Sequence, residues 1–155
     1  MYVMLGTRFD LACGISVISQ FLDKPKAVHV QLVQHMLQYL RSNSKLGLTY
    51  RSSAICLKVY VDASYASDVG YKSRTGYCFQ IGQNMISWFS KKQSVVAQSA
   101  AEAEYYAAVS AANEGICLKQ LLDDIGYPQE TVELLEDNQA CISLTKNPFH
   151  KARVL

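Results

Sequence analysis

The sequence lacks several features that would assign it to an obvious class. Half of its 155 residues are hydrophobic, yet no apolar run reaches the roughly 18 residues that a membrane-spanning helix requires. The apolar start is too short for a signal peptide and is interrupted by Arg8 and Asp10. Neither sign of charge predominates, because the formal net charge is only +2. These absences argue against a membrane protein and favour a location in the cytoplasm or the nucleus.

The cysteines show no functional pattern either. None of the five pairs with another at a metal-ligand spacing, and no disulfide framework is indicated. We therefore expect reduced thiols inside an intracellular protein. Charged residues make up 18% of the chain, which is typical of a globular protein and not of a disordered one.

The charges that are present are unevenly distributed. Residues 102–137 carry nine acidic side chains and one lysine, whereas residues 58–92 carry five basic side chains and two acidic ones. A basic segment folded against an acidic one would place phosphate-binding cations around a carboxylate metal site. The alternative is that both segments are ordinary solvent-exposed faces, and the charge pattern alone favours this alternative.

The hydrophobic periodicity predicts two helices followed by an α/β domain. Helical spacing covers residues 11–22 and 28–40, with Pro25 ahead of the second helix. From Ile55 the pattern changes to short β-rich runs, a long Ala- and Glu-rich helix that begins at Ser99, another run and a last helix. The predicted strands are 55–61, 77–81, 85–89 and 131–135, and the last helix is 139–145. The element order is β-β-β-α-β-α, over roughly Cys56 to Asn147.

Three carboxylates in this order point to a metal site. Asp62 and Asp137 each follow a β-rich run, so they would meet at one edge of the sheet if these two strands are parallel neighbours. Glu102 lies in the first turn of the long helix and could be aimed at the same place. Close carboxylates repel one another, and a hard cation such as Mg²⁺ or Mn²⁺ would relieve that repulsion. Two such ions could activate water for phosphodiester hydrolysis.

Other assignments stay open at each position. Asp62 could cap a turn, Glu102 could complement a helix N-terminus, and Asp137 could be the N-cap of the last helix. Glu104 is a rival to Glu102 on another side of the same helix, and Asp68, placed in a loop, is a weaker rival to Asp62. Glu136 should point away from Asp137, because neighbouring side chains of an extended chain alternate.

Several motifs in the right order resemble the RNase H region of copia-type retrotransposon Pol polyproteins, together with the end of the reverse transcriptase before it. Upstream, residues 7–11 are similar to the family's T-R-P-D-I, and residues 38–40 lie in its R-Y-L helix. The other similar segments are 62–68 for D-A-D-Y-A-G-D, 72–77 for R-x-S-T-S-G-Y, 86–93 for I-S-W-S-S-K-K-Q, 100–105 for S-T-E-A-E-Y, 136–142 for C-D-N-Q-S-A-I and 146–150 for K-N-P-x-F-H.

The resemblance implies a domain that cleaves the RNA strand of an RNA–DNA hybrid with divalent metal, as part of a longer reverse transcriptase polyprotein in a virus-like particle. Its fold would be an RNase H-like mixed sheet over residues 55–155, preceded by a helical remnant of the reverse transcriptase over residues 1–50. The first three ligands of the family's pair of Mg²⁺ or Mn²⁺ ions match Asp62, Glu102 and Asp137. The candidate nucleic-acid contacts are Arg74, Lys91, Lys92 and Asn138.

The chain also departs from the family pattern. That pattern continues to a last strand and a closing helix with A-D-x-x-T-K, whose aspartate is the fourth catalytic carboxylate, and the sequence ends at Leu155 before it. We therefore expect weak or no hydrolysis by this chain alone. The alternative is a catalytically inactive remnant that at most binds nucleic acid through its basic segment.

Overall fold

The structure is a computed structural model that describes residues 2–146. The chain divides into two compact units, Met1–Thr49 and Tyr50–Leu155. The sequence motif at 146–150 extends beyond the described residues, and so does the rest of the chain to Leu155. Among the helices of residues 2–146, none has the length and apolarity needed to cross a membrane.

The first unit is helical. Its helices are α1 (Tyr2–Gly6), α2 (Ala12–Ile18) and α3 (Ala27–Ser42), and short 3₁₀ turns at Phe9–Leu11 and Ser19–Phe21 flank α2. The predicted helix over residues 11–22 is therefore α-helical only in its middle, whereas the predicted helix over residues 28–40 is confirmed. Buried Arg8 ties the unit together, because its side chain binds Asp10 at 2.7 Å and donates to the carbonyl oxygen of Asn43 at the end of α3.

The second unit is built on a four-stranded mixed sheet in the order β3-β2-β1-β4. The strands are β1 (Leu57–Asp68), β2 (Lys72–Ile81), β3 (Asn84–Lys92) and β4 (Glu133–Leu135), and the helices are α4 (Ala100–Asp124) and α5 (Gln139–Lys146). β1 to β3 pair antiparallel, and β4 joins β1 in parallel. The predicted α/β class and the order β-β-β-α-β-α are confirmed over the described residues.

Two strands extend further than their hydrophobic patterns indicated. β1 continues beyond Asp62 to Asp68, and β2 already begins at Lys72, ahead of the predicted strand over 77–81. The reason is backbone pairing, since the ladder continues from Asp62 opposite Gly76 to Ser64 opposite Arg74 and then loses register before Asp68. Because the side chains at these positions are polar, the hydrophobic pattern did not indicate that β1 and β2 form an extended hairpin. β4, by contrast, is shorter than predicted.

The core lies between the sheet and α4. Its buried side chains come from β1, β2 and one face of α4: Leu57, Val59, Val61, Phe79, Ala107, Ala111 and Leu122. Small residues let the helix approach closely, and a Cβ added at Gly115 would lie 3.4 Å from the Phe79 ring. The long helix starts where it was predicted to start, and Ser99 caps it by accepting a hydrogen bond from the backbone N–H of Glu102. This packing fixes the first turns of α4 near β1.

Candidate metal centre

Three carboxylates from three separate elements converge in the second unit. Each of Asp62, Glu104 and Asp137 offers one oxygen, and these oxygens all lie within 4.8 Å of one another. Asp62 belongs to β1, Glu104 to α4, and Asp137 to the segment between β4 and α5. The parallel ladder explains part of this arrangement, since Tyr60 pairs with Leu135 and each aspartate lies two residues further along its chain. The structure therefore brings Asp62 and Asp137 together as predicted, although Asp62 lies within β1 and not after its end.

Glu104 is the most buried member of the cluster. Its residue is 6% exposed, and its Oε2 atom is buried without a hydrogen-bond partner. Burial and then the negative charges of Glu136, Asp62 and Asp137 raise the pKa of Glu104 to about 7, although a backbone hydrogen bond at Ala63 opposes this. A buried carboxylate oxygen without a partner is costly. A divalent cation supplies both the missing contact and the opposite charge, so the residues present fit a metal ion of this kind.

Glu102 does not join this cluster. Its carboxylate accepts a hydrogen bond from the backbone N–H of Gln98 at 2.6 Å, and its own N–H donates to the Ser99 hydroxyl at 3.1 Å. These two bonds turn the Glu102 side chain back over the helix N-terminus, onto the residue before the Ser99 cap. Glu104 lies two residues later, on another side of the helix. The structure therefore brings Glu104, and not the predicted Glu102, to the two aspartates.

Substitution of Glu102 should affect stability without affecting metal binding. We expect Glu102→Ala to lower the free energy of unfolding by about 1 kcal/mol, because one of the two capping hydrogen bonds is lost. Urea denaturation measures this, with exposed Glu130→Ala as the control. The rise in melting temperature on adding Mn²⁺ should match that of the native chain. Loss of that rise in Glu102→Ala would return Glu102 to the ligand set.

The alternative role of Asp137 as a helix cap is not the one the structure shows. Asn138 occupies that place, since its Oδ1 atom accepts a hydrogen bond from the backbone N–H of Cys141 at 3.0 Å. Asp137 is exposed beside it. Capping fixes the start of α5, and it leaves the Asp137 carboxylate available to the cluster. The predicted contact of Asn138 with nucleic acid remains a prediction.

Arg74, a predicted nucleic-acid contact, lies inside the protein. It is 6% exposed, and its guanidinium is 2.8 Å from the carboxylate of Asp68, whose side chain is equally buried. Asp68 is the last residue of β1 and not a loop residue, and this ion pair accounts for its carboxylate. Both assignments are corrected, because a buried guanidinium that is held by a carboxylate is not presented to a phosphate backbone.

Lys91 and Lys92 end β3 at the same level along the strands as Asp62. They pair with Thr75 and Arg74 of β2, which in turn pair with Ala63 and Ser64 of β1, next to Asp62. Two strand spacings separate β3 from β1, which is about 10 Å. Lys91 is exposed, and both lysines line a hollow beside Phe89 and Tyr106. This position suits contact with a polyanion that also reaches the carboxylates, and binding remains a prediction.

Comparison with known proteins gives several relatives. The chain is 41% identical over 154 residues to the retrovirus-related Pol polyprotein from transposon TNT 1-94 of Nicotiana tabacum, a match that covers 99% of this chain and 12% of that protein. It is 31% identical over 151 residues to the corresponding polyprotein from transposon RE1 of Arabidopsis thaliana, covering 96% of this chain and 10% of that protein.

A shorter relative carries a different name. The secreted RxLR effector protein 161 of Plasmopara viticola is 41% identical over 120 residues, which cover 76% of this chain and 84% of that protein. The chain thus spans about a tenth of the two Pol polyproteins and most of the shorter relative. No protein-family model and no solved structure matches it.

Proposed function

We propose that the second unit is an RNase H domain that hydrolyses the RNA strand of RNA–DNA hybrids. The premise is that the chain belongs to the Pol polyproteins of copia-type retrotransposons. The observation that carries the proposal is the convergence of Asp62, Glu104 and Asp137 within 4.8 Å, with a buried Glu104 oxygen that has no hydrogen-bond partner. This is an all-oxygen donor set of the type that Mg²⁺ and Mn²⁺ prefer.

Each part of the site has a chemical role in this proposal. Asp62, Glu104 and Asp137 hold divalent metal, which supplies Lewis acidity and lowers the pKa of bound water. Asp137 is exposed and Glu104 is buried, so the site has an open side for a phosphate and a closed side formed by α4. Lys91 and Lys92 bind the nucleic-acid backbone, where their charge raises affinity without selecting a sequence. In the parent polyprotein, the preceding reverse transcriptase would deliver the hybrid.

A cleavage assay tests the proposal. The substrate is an RNA–DNA hybrid with labelled RNA, incubated with an excess of the chain and Mg²⁺, Mn²⁺ or a chelator. We expect RNA products only with metal, and single-stranded RNA to stay intact. Asp62→Asn should reduce the rate by about 100-fold or more, because it removes a charged ligand at little cost in volume. The isosteric control is Glu102→Gln, which should retain the rate.

The second candidate is an inactive nucleic-acid-binding module. The name of the Plasmopara viticola relative refers to an effector, so likeness over this stretch of sequence does not by itself imply hydrolysis. Such a module would bind the hybrid with an affinity that falls steeply with salt concentration and would release no product. Binding without cleavage in Mn²⁺, at protein excess, would therefore replace the nuclease proposal with this one.

A further inference from the structure

Glu136 is partly buried and has one fully buried carboxylate oxygen that the proposed function does not use. It follows β4 directly and precedes Asp137. Its Oε1 atom accepts a hydrogen bond from the backbone N–H of Asn138 at 3.0 Å, whereas its Oε2 atom is buried without a hydrogen-bond partner. One oxygen is thus held by the backbone, and the other is withdrawn from water without a hydrogen-bond partner.

The charge of Glu136 acts directly on the carboxylate cluster. After burial, Glu136 is the strongest influence that raises the pKa of Glu104, ahead of Asp62 and Asp137. Burial also raises the pKa of Glu136 itself, and the charges of Asp137 and Asp62 add to that effect. Glu136 was expected to point away from Asp137, and its charge nevertheless contributes to the raised pKa of Glu104.

Glu136 is nevertheless outside the set of oxygens that could hold one ion together. That set comprises Asp62, Glu104 and Asp137 among the described residues. Glu136 instead borders the groove between α4 and α5, together with Tyr105 and Cys141. A carboxylate behind the direct ligands is well placed to accept hydrogen bonds from water on a cation, and Mg²⁺ in particular retains several waters when proteins bind it.

We propose that Glu136 is a positioning residue of the metal centre, whose Oε2 atom accepts a hydrogen bond from a water molecule on the cation held by Asp62, Glu104 and Asp137. The inference rests on the proposed metal site. Glu104 and Glu136 each have a buried oxygen without a hydrogen-bond partner, Glu104 is more than nine-tenths buried, and Glu136 adjoins Asp137 of the cluster in the chain. A hydrated divalent cation satisfies both at once, one by direct contact and the other through its water.

Metal titration of the full chain tests this inference without relying on activity. Glu136→Gln keeps an oxygen for the Asn138 N–H and removes the charge, so the local backbone should be retained. We expect the dissociation constant for Mn²⁺, measured by calorimetry, to rise about 10- to 100-fold, as for other residues that hold metal-bound groups. The melting temperature without metal should rise, because repulsion of Glu104 is relieved. Glu133→Gln, three residues earlier on β4 but exposed and paired with Lys58, should bind Mn²⁺ like the native chain.

The outcomes separate the inference from the proposal on which it rests. If Asp62→Asn abolishes Mn²⁺ binding and Glu136→Gln binds it as tightly as the native chain, the metal centre stands and the role of Glu136 is refuted. The same result would follow if Glu136 and Glu104 only share a proton, since removing that interaction would leave metal affinity unchanged or tighter. If the native chain shows no saturable Mn²⁺ binding, the metal centre and the role of Glu136 both fail.

Discussion

A Glu104→Gln variant should be more stable than the native chain without metal at pH 8, and it should gain no stability from added Mg²⁺ or Mn²⁺. Ionised Glu104 is buried beside three other acidic groups, Glu136, Asp62 and Asp137, so its charge destabilises the metal-free fold. With metal present the same charge becomes a ligand, and binding stabilises the native state in proportion to the logarithm of metal concentration. Thermal unfolding across a metal titration measures both effects.

The pH dependence of this effect follows from the pKa of Glu104. Its value is about 7 in the folded chain against an ordinary 4.5, so the folded state holds a proton that the unfolded state has already lost. The free energy of unfolding therefore falls as pH rises from about 4.5 to 7, by on the order of 3 kcal/mol from this group alone. Glu104→Gln should lack that decrease and should differ little from the native chain at pH 4.

The matched control is Glu102→Gln, an identical substitution two residues earlier on α4. Glu102 binds the backbone N–H of Gln98 and lies outside the cluster. We expect this control to keep the metal-induced stabilisation and the native decrease of stability with pH. A Glu104→Gln variant that still gained stability from Mn²⁺ would remove Glu104 from the metal centre.

An Arg74→Ala variant should lose about 3 to 5 kcal/mol of stability, the largest cost that we expect from a single substitution in the sheet. The ion pair with Asp68 measures 2.8 Å, and both side chains are almost fully buried. Removing the arginine leaves a buried carboxylate whose charge is no longer compensated by this partner, and that penalty exceeds the strength of the pair itself. Urea denaturation near neutral pH gives the free energy of unfolding.

Two further variants isolate the cause. The double variant Arg74→Leu with Asp68→Leu should be considerably more stable than Arg74→Ala, because both buried charges are gone. Lys58→Ala breaks the ion pair with Glu133 in the same sheet at 2.7 Å, but these side chains are 35% and 51% exposed, so the expected cost is below about 1 kcal/mol. Equal losses in Arg74→Ala and Lys58→Ala would contradict a special role for the buried pair.

Much of the second unit was readable from the sequence because its signals are local. The Ser99 cap, the long helix with its small residues and the β-rich runs each depend on neighbours in the chain. The parallel pairing of β1 with β4 needed one further assumption, and it placed Asp62 and Asp137 correctly. What remained ambiguous was the rotation of α4. Successive helical residues turn by about 100°, so Glu102 and Glu104 differ by about 200° in direction.

The sequence does contain a signal that distinguishes Glu102 from Glu104. Ser99 and Glu102 have the S-x-x-E spacing of a capping box, which assigns Glu102 to the helix terminus and leaves Glu104 for the site. No comparable signal in the sequence indicates that Arg74 is buried. Its burial depends on the register of β1 against β2, where Arg74 opposes Ser64 and the register then shifts before Asp68. Tertiary pairing, and not composition, decides whether an arginine is a surface cation or an interior one.

The three carboxylates of the candidate centre are carried by elements of very different length, and β4 is the shortest. Asp62 and Glu104 are carried by a strand of 12 residues and a helix of 25. Asp137 follows a strand of three residues that, among residues 2–146, pairs with β1 alone at the end of the sheet order. Short edge elements open locally at a small free-energy cost. An ion shared by the three carboxylates would therefore hold the segment that follows the short β4 against β1 and α4.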